Sequence, residues 1–278
     1  MSQPSLKELL EAGVHFGHET KRWNPKMAGN IFTAKEKIHI IDLEKTESAL
    51  KEATAFVKDL GKAQGQIIFL GTKRQAADIV KEQAERVGAM YLTTRWVGGL
   101  FTNFEQVQKN LAKLSDLEEK SKDDRFTKKE QLLMTREVEK LIRNIGGVRT
   151  MTKLPEAIFI VDSRKEDIAV KEARKMGVKI VAIVDTNGDP TTIDYPIPGN
   201  DDAIRAISIL VKAIADSYDE GKNTGEKKSP EEKVEKVEEV SAPVAEKAKA
   251  KVEKEEKPKK TTKKVAAKKE TKSKKEKA

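Results

Sequence analysis

Three short apolar runs, QIIFLG at 66–71, AIFIVD at 157–162 and KIVAIVD at 179–185, constrain this chain more than any other feature. A strand with one wet face alternates apolar and polar side chains. A run without polar breaks needs cover on both faces, as in a parallel sheet between layers of helices. The intervening segments supply those helices. Ala76, Ile79, Val80 and Val87 recur at helical spacing over 74–87, and Gly88 stops the run before a brief strand, AMYL. Another helix ends near Met176 and Gly177. After an extended piece near Tyr195, Asn200 is placed to cap a last helix with Ile204, Ile207, Val211, Ile214 and Tyr218 on one face and Asp201 and Asp202 in its first turn. Upstream, IFTAKEKIHII (31–41) reads as two short strands. Asp42 then opens a helix carrying Leu43, Leu50, Ala53, Val57 and Leu60, ended by Gly61. The alternation predicts an α/β domain.

An insertion between Asn103 and Ile145 interrupts it. Phe104, Val107, Leu111, Leu114 and Leu117 repeat at three and four, as do Met134, Val138, Leu141 and Ile145 after the charged stretch EEKSKDDRFTKKE. Two antiparallel helices explain this pattern, and their narrow seam with charged outer faces predicts a hairpin that projects from the domain. The expected organisation is an α/β domain from residues 1–102 and 146–221, a helical hairpin (coiled coil) at 103–145, and a lysine-rich tail at 222–278.

Charge separates the tail from the body. From Lys222 onward the chain has 20 lysines and 12 glutamates, so nearly all of the formal +9 lies there, while residues 1–221 hold 35 basic and 34 acidic side chains. Its last stretch, after Glu256, has no large apolar residue beyond Val265, so it is expected to be disordered and attracted to polyanions. Ser5-Leu6-Lys7-Glu8 reads as a capping box opening a short helix and not as a signal peptide, and no apolar run approaches a membrane span. With no cysteine there is no disulfide framework and no thiolate metal site, which fits a cytoplasmic protein.

Four candidate sites follow from residue chemistry. In GVHFGHETKRWNPKM (13–27), His15 and His18 would need further ligands to hold zinc, and the local choices are Glu19 and a distant His39. No metal is expected. One imidazole should instead pack under the glycine turns and bond to backbone, without a local carboxylate arrangement for a catalytic triad. Gly71-Thr72-Lys73-Arg74 lies where a strand meets a helix start but lacks both the GxGxxG and GxxxxGK[ST] phosphate patterns, so it reads as an exposed basic helix start. Asp162, Asp185, Asp189 and Asp194 near strand ends raise the alternative of a magnesium-dependent phosphoryl-chemistry enzyme using Asp185 and Asp189, against which stands the ordinary turn chemistry of Asn187-Gly188-Asp189-Pro190. Finally, Lys21, Arg22, Trp23, Asn24 and Lys26 mix cations, a ring and an amide in one loop, and TTRWVGGLFTN (93–103) repeats the Arg-Trp pair. Such sets suit a phosphate backbone with an occasional stacked base. Burial of Trp23 and Trp96 in the core is the competing reading.

These last stretches carry a resemblance. GVHFGHETKRWNPKM with IHIIDLEKT (within 13–46), RWVGGLFTNF (95–104) and VDTNGDPTTIDYPIPGNDDAIRAI (184–207) are similar to the family of the second protein of the bacterial small ribosomal subunit, over residues 1–221. The resemblance implies a flavodoxin-like three-layer fold with a parallel sheet and a projecting antiparallel hairpin. It also implies a structural, non-enzymatic role in translation: binding to small-subunit ribosomal RNA and neighbouring ribosomal proteins, including the large RNA-binding protein numbered one, with no cofactor and a cytoplasmic, ribosomal location. The RNA-binding residues expected are Lys21, Arg22, Trp23, Asn24, Lys26, Lys73, Arg74, Arg95 and Asn103. Two positions depart from the family: Thr33-Ala34-Lys35-Glu36-Lys37 replaces a Gly-x-Arg-Asn-like turn, and Phe101 stands where leucine is common.

Overall fold

The computed structural model describes residues 3–121, 123 and 125–226. In chain order the elements are α1 (Leu6–Glu11), β1 (Phe16–Glu19), β2 (Ile31–Lys35), β3 (Ile38–Ile41), α2 (Leu43–Lys62), β4 (Ile67–Leu70), α3 (Arg74–Arg86), β5 (Met90–Leu92), α4 (Phe104–Lys120), α5 (Lys128–Ile145), β6 (Ala157–Ile160), α6 (Asp167–Met176), β7 (Lys179–Val184), β8 (Tyr195–Pro198) and α7 (Ile204–Glu226). The capping box expected at Ser5 and Glu8 is present, and Asp42 caps α2 by accepting the Glu44 N–H. No described helix is long and apolar enough to cross a membrane.

The three apolar runs form the centre of a five-stranded sheet of order β5-β4-β6-β7-β8, parallel throughout. Counted within the sheet this is the 2-1-3-4-5 order of flavodoxin-like folds. Both faces are covered, as the unbroken runs require. Ile67 and Phe69 of β4 point into one apolar layer with Leu50, Val57, Val80 and Leu210 from α2, α3 and α7. Ile68 and Leu70 point into the other, against Ala169 and Ala173 of α6, Phe101, and Val107 and Ile145 from the hairpin's root. Alternate side chains of one strand thus build two cores.

The structure corrects several boundaries. Gly61 does not end α2, which runs on to Lys62. A Cβ on Gly61 would lie 2.6 Å from the Tyr218 carbonyl, and one on Gly221 would lie 2.2 Å from the Lys58 carbonyl, so these glycines let α2 and α7 cross closely. Helix α7 passes through the expected 221/222 boundary to Glu226, and Lys222 Nζ donates to the Val87 carbonyl. A second antiparallel sheet of order β1-β3-β2 includes β1, inside the segment expected to be an irregular glycine-rich loop. The expectation for the lysine-rich tail after Glu226 lies outside the described residues.

Candidate nucleic-acid interface

In a parallel sheet every strand ends at the same edge, so the segments following β4, β5, β6 and β7 meet there. The segment 13–30 is fastened across this edge. His18 N–H donates to Thr186 Oγ1 at 3.0 Å, Asn24 N–H donates to the Thr186 carbonyl at 2.7 Å, and Asn200 donates through its backbone and side chain to the carbonyls of Val14 and Gly13. Gly17 permits the approach, because a Cβ there would stand 2.6 Å from Thr186 Cγ2.

Beneath the segment lies a cage of charge. His18 Nδ1 is 3.0 Å from Asp185 and Nε2 is 3.4 Å from Asp202, while Lys73 Nζ lies 2.9, 2.7 and 2.8 Å from Asp162, Asp201 and Asp202. The hydrogen bond to Asp185 raises the His18 pKa against the opposing effect of burial. Burial pushes the Asp201 carboxyl up to about 7, aided by Asp162 and Asp185. For Lys73 burial works against the charge, but the surrounding carboxylates outweigh it and the pKa is raised.

The cage revises four sequence expectations. Lys73 belongs to a largely buried ion-pair network, whereas its neighbour Arg74 is exposed. His18 bonds to carboxylates far along the chain, and the His15 ring is tilted against Phe16 with its Nδ1 unpaired. Asp201 and Asp202 precede α7 instead of entering its first turn, while Asn200 Oδ1 accepts from the N–H groups of Asp202 and Ala203. Asp185 and Asp189 do not share a site either. Asp185 is buried against His18 and Thr186, and Asp189 pairs at the surface with Lys26 Nζ at 2.6 Å. Ligand atoms of His18, Asp201 and Asp202 lie close enough to share an ion, but Lys73 already bridges the two carboxylates.

The segment after β5 is organised by a residue that sequence reasoning missed. Glu172 of α6 is buried and accepts from Gly99 N–H at 2.7 Å, Phe101 N–H at 3.2 Å, Thr102 N–H at 3.4 Å, Thr102 Oγ1 at 3.3 Å and Trp96 Nε1 at 3.3 Å. Burial pushes its carboxyl up, yet these donors prevail and hold it below the usual carboxylate range. Trp96 is also edge-on to Phe101, with ring centroids 5.0 Å apart, so its indole is engaged within the protein. The glycines of RWVGGLFTN let three nearby amides converge on one carboxylate. Nothing at position 172 announces that role in sequence.

The remaining expected residues sit at the rim. Lys21, Arg22, Arg74 and Arg95 are exposed, with no side-chain partner among the described residues. Trp23 is 39% exposed and tilts against His39 at 5.4 Å. Asn24 Oδ1 accepts from Lys26 N–H, and Lys26 is tied to Asp189 and Thr191. Asn103 precedes α4 without a capping bond. Arg164, following β6 in DSRKED, is a further exposed cation at this edge that the sequence reading overlooked. Cationic rims over rigidly held backbone can contact phosphates without reading sequence.

The chain is similar to known proteins over most of its length. A Small ribosomal subunit protein uS2 from Marinobacter nauticus is 50% identical over 78% of this chain and 88% of its own length. One from Acidothermus cellulolyticus is 52% identical over 80% and 82%. One from Beutenbergia cavernae is 52% identical over 80% of this chain but 64% of its own length, so this chain spans just under two thirds of that relative. Residues 9–221, which contain the sheet, the hairpin and the fastened rim, match the ribosomal protein S2 family, and the chain belongs to it.

Proposed function

We propose that this protein is a structural component of the small ribosomal subunit, working in the cytoplasm, and that it holds ribosomal RNA along the carboxyl edge of its parallel sheet. Family membership over residues 9–221 carries the reading. The rim supports its residue-level form: Lys21, Arg22, Arg74 and Arg95 are free to meet phosphates, with Trp23, Asn24, Lys26 and Asn103 beside them. Lys73 acts indirectly, by holding the acidic cage on which the segment rests. The role is binding and not catalysis, since the carboxylates considered for magnesium chemistry are engaged by His18, Thr186 and Lys26.

Neighbouring ribosomal proteins need a different surface. Leu6 and Leu10 of α1, Phe32 of β2, Ile40 and Leu43 line an apolar groove of about 500 Å³, and Phe32 is 75% exposed. An apolar groove suits a protein better than a charged RNA strand. We assign it to protein partners, among them the large RNA-binding ribosomal protein numbered one. The test is sedimentation of the tagged full chain from lysate at high salt, followed by mass spectrometry of the particles. Stoichiometric recovery in small subunits is expected; a chain that remains at the top of the gradient would overturn the reading. Phe32→Ser should lower recovery of the large partner while leaving the chain in the particle.

A further inference from the structure

A second basic site adjoins the Arg95 end of that rim, where the helical hairpin returns to the sheet. Edge strand β5 and the residues after it, the end of α5, and Lys81 of α3 enclose a cavity of about 380 Å³, within the usual size range of small-ligand pockets. Its lining contains three cations, Lys81, Arg143 and Arg149, and no carboxylate. Arg149 is held by Glu118, whereas the side chains of Lys81 and Arg143 have no partner among the described residues. Glu85 of α3 accepts from the Tyr91 hydroxyl at 2.7 Å.

The walls are fixed, which distinguishes this cavity from scattered surface lysines. Thr94 Oγ1 donates to the Arg143 carbonyl at 2.8 Å, tying the last turn of α5 to the sheet edge. Gly147 passes directly over Tyr91: a Cβ there would fall 2.1 Å from the Tyr91 carbonyl and 2.8 Å from its ring. The hairpin's root is therefore locked against β5, and Arg143 is carried on a rigid support. Thr93 and Asn144 add neutral hydrogen-bonding groups to the lining. A half-open cavity whose lining holds three cations, neutral polar groups and no carboxylate selects an anion with further hydrogen-bonding capacity.

We propose that this cavity receives a phosphodiester and its attached nucleotide from a ribosomal RNA strand, with Lys81 and Arg143 contacting the phosphate and Arg149 flanking it. The proposal rests on the ribosomal reading and adds to it a contact independent of residues 20–26. Neutralising that one phosphate should account for about 0.7–0.9 in the slope of log affinity against log salt.

The experiment measures binding of the full chain to full-length small-subunit ribosomal RNA across a salt series, for wild type, Lys81→Gln/Arg143→Gln and Lys21→Gln/Arg22→Gln, with circular dichroism to verify folding. Expected is a loss of at least about fivefold for the cavity variant, a shallower salt slope, partial recovery in Lys81→Arg/Arg143→Lys, and loss of wild-type ultraviolet crosslinks mapping to 142–149. If the cavity variant binds like wild type while the rim variant is weakened, the cavity assignment is overturned and the ribosomal reading stands. If wild type itself fails to bind this RNA, both fall together. Preferential binding of polyglutamate at matched ionic strength, abolished by the cavity substitutions, would assign the cavity to an acidic protein segment and overturn the proposal.

Discussion

Lys73 and Arg74 are adjacent at the start of α3, yet they belong to opposite electrostatic regions. Lys73 is enclosed by Asp162, Asp201 and Asp202 beneath the segment 13–30; Arg74 stands at the rim with no partner among the described residues. The first region uses charge to hold the protein together, and the second leaves charge available to a polyanion. The difference teaches that counting basic residues at a strand end does not identify an RNA site. What matters is whether a cation's field has already been neutralised by neighbours.

The sharpest way to break this comparison is Lys73→Ala. It leaves several carboxylates without their shared ammonium, and unfolding in urea should show a loss of about 3–5 kcal/mol, as for other broken buried pairs. Arg74→Ala should change stability by no more than about 0.5 kcal/mol. Equal effects of the two substitutions would abolish the distinction between cage and rim.

Next in size is Lys21→Ala/Arg22→Ala/Arg95→Ala. Folding should persist, while RNA affinity falls by about 1 kcal/mol per lost phosphate contact, read as reduced occupancy in small subunits by quantitative mass spectrometry. Normal occupancy would remove these residues from the interface.

The cage should also show a pH signature absent from the rim. His18 has its pKa raised above the ordinary 6.5, chiefly by its bond to Asp185, so its contribution is fully present below 6.5 and is lost as pH rises through the folded value. Asp201 acts with the same sign. Between its ordinary 3.8 and about 7 the folded protein retains a proton that the unfolded chain releases, so stability falls as pH rises across that interval. Asp202 and Asp189 have lowered pKa values and act oppositely, but their contribution is lost at acid pH. Burial lowers the His15 pKa, which opposes this trend below 6.5, so urea midpoints should decline from pH 6.5 to 8, with a flatter profile in His18→Gln. A rising midpoint over that range would contradict the cage electrostatics.

The smallest effect is a control outside both regions. Glu36 and Lys37 turn the β2–β3 hairpin with φ of 52° and 67°, a backbone region that favours asparagine and glycine. Glu36→Asn/Lys37→Gly should stabilise the chain by about 1 kcal/mol in thermal unfolding, leaving RNA affinity within about twofold.

Much of the scaffold was legible because its signals are local. The unbroken runs at 66–71, 157–162 and 179–185 became the three central strands, and the three-and-four spacing over 104–145 became α4 and α5. Strand β1 was missed because four residues, one of them Gly17, carry too little periodicity, and its pairing with β3 depends on a remote partner. The rim was partly legible, since loops rich in Lys, Arg and Trp stand out. Their division into free and engaged residues was not.

The sequence by itself determined the α/β alternation, the helical insertion and the motifs of the family, because periodicity and turn chemistry act over a few neighbouring residues. Only the tertiary structure decided that Glu172 would gather the amides of Gly99, Phe101 and Thr102, that His18 and Lys73 would meet Asp162, Asp185, Asp201 and Asp202, and that Arg74 would remain open. Coulombic and hydrogen-bond partners are chosen by distance through space, and the parallel sheet brings to one edge segments that the chain keeps far apart.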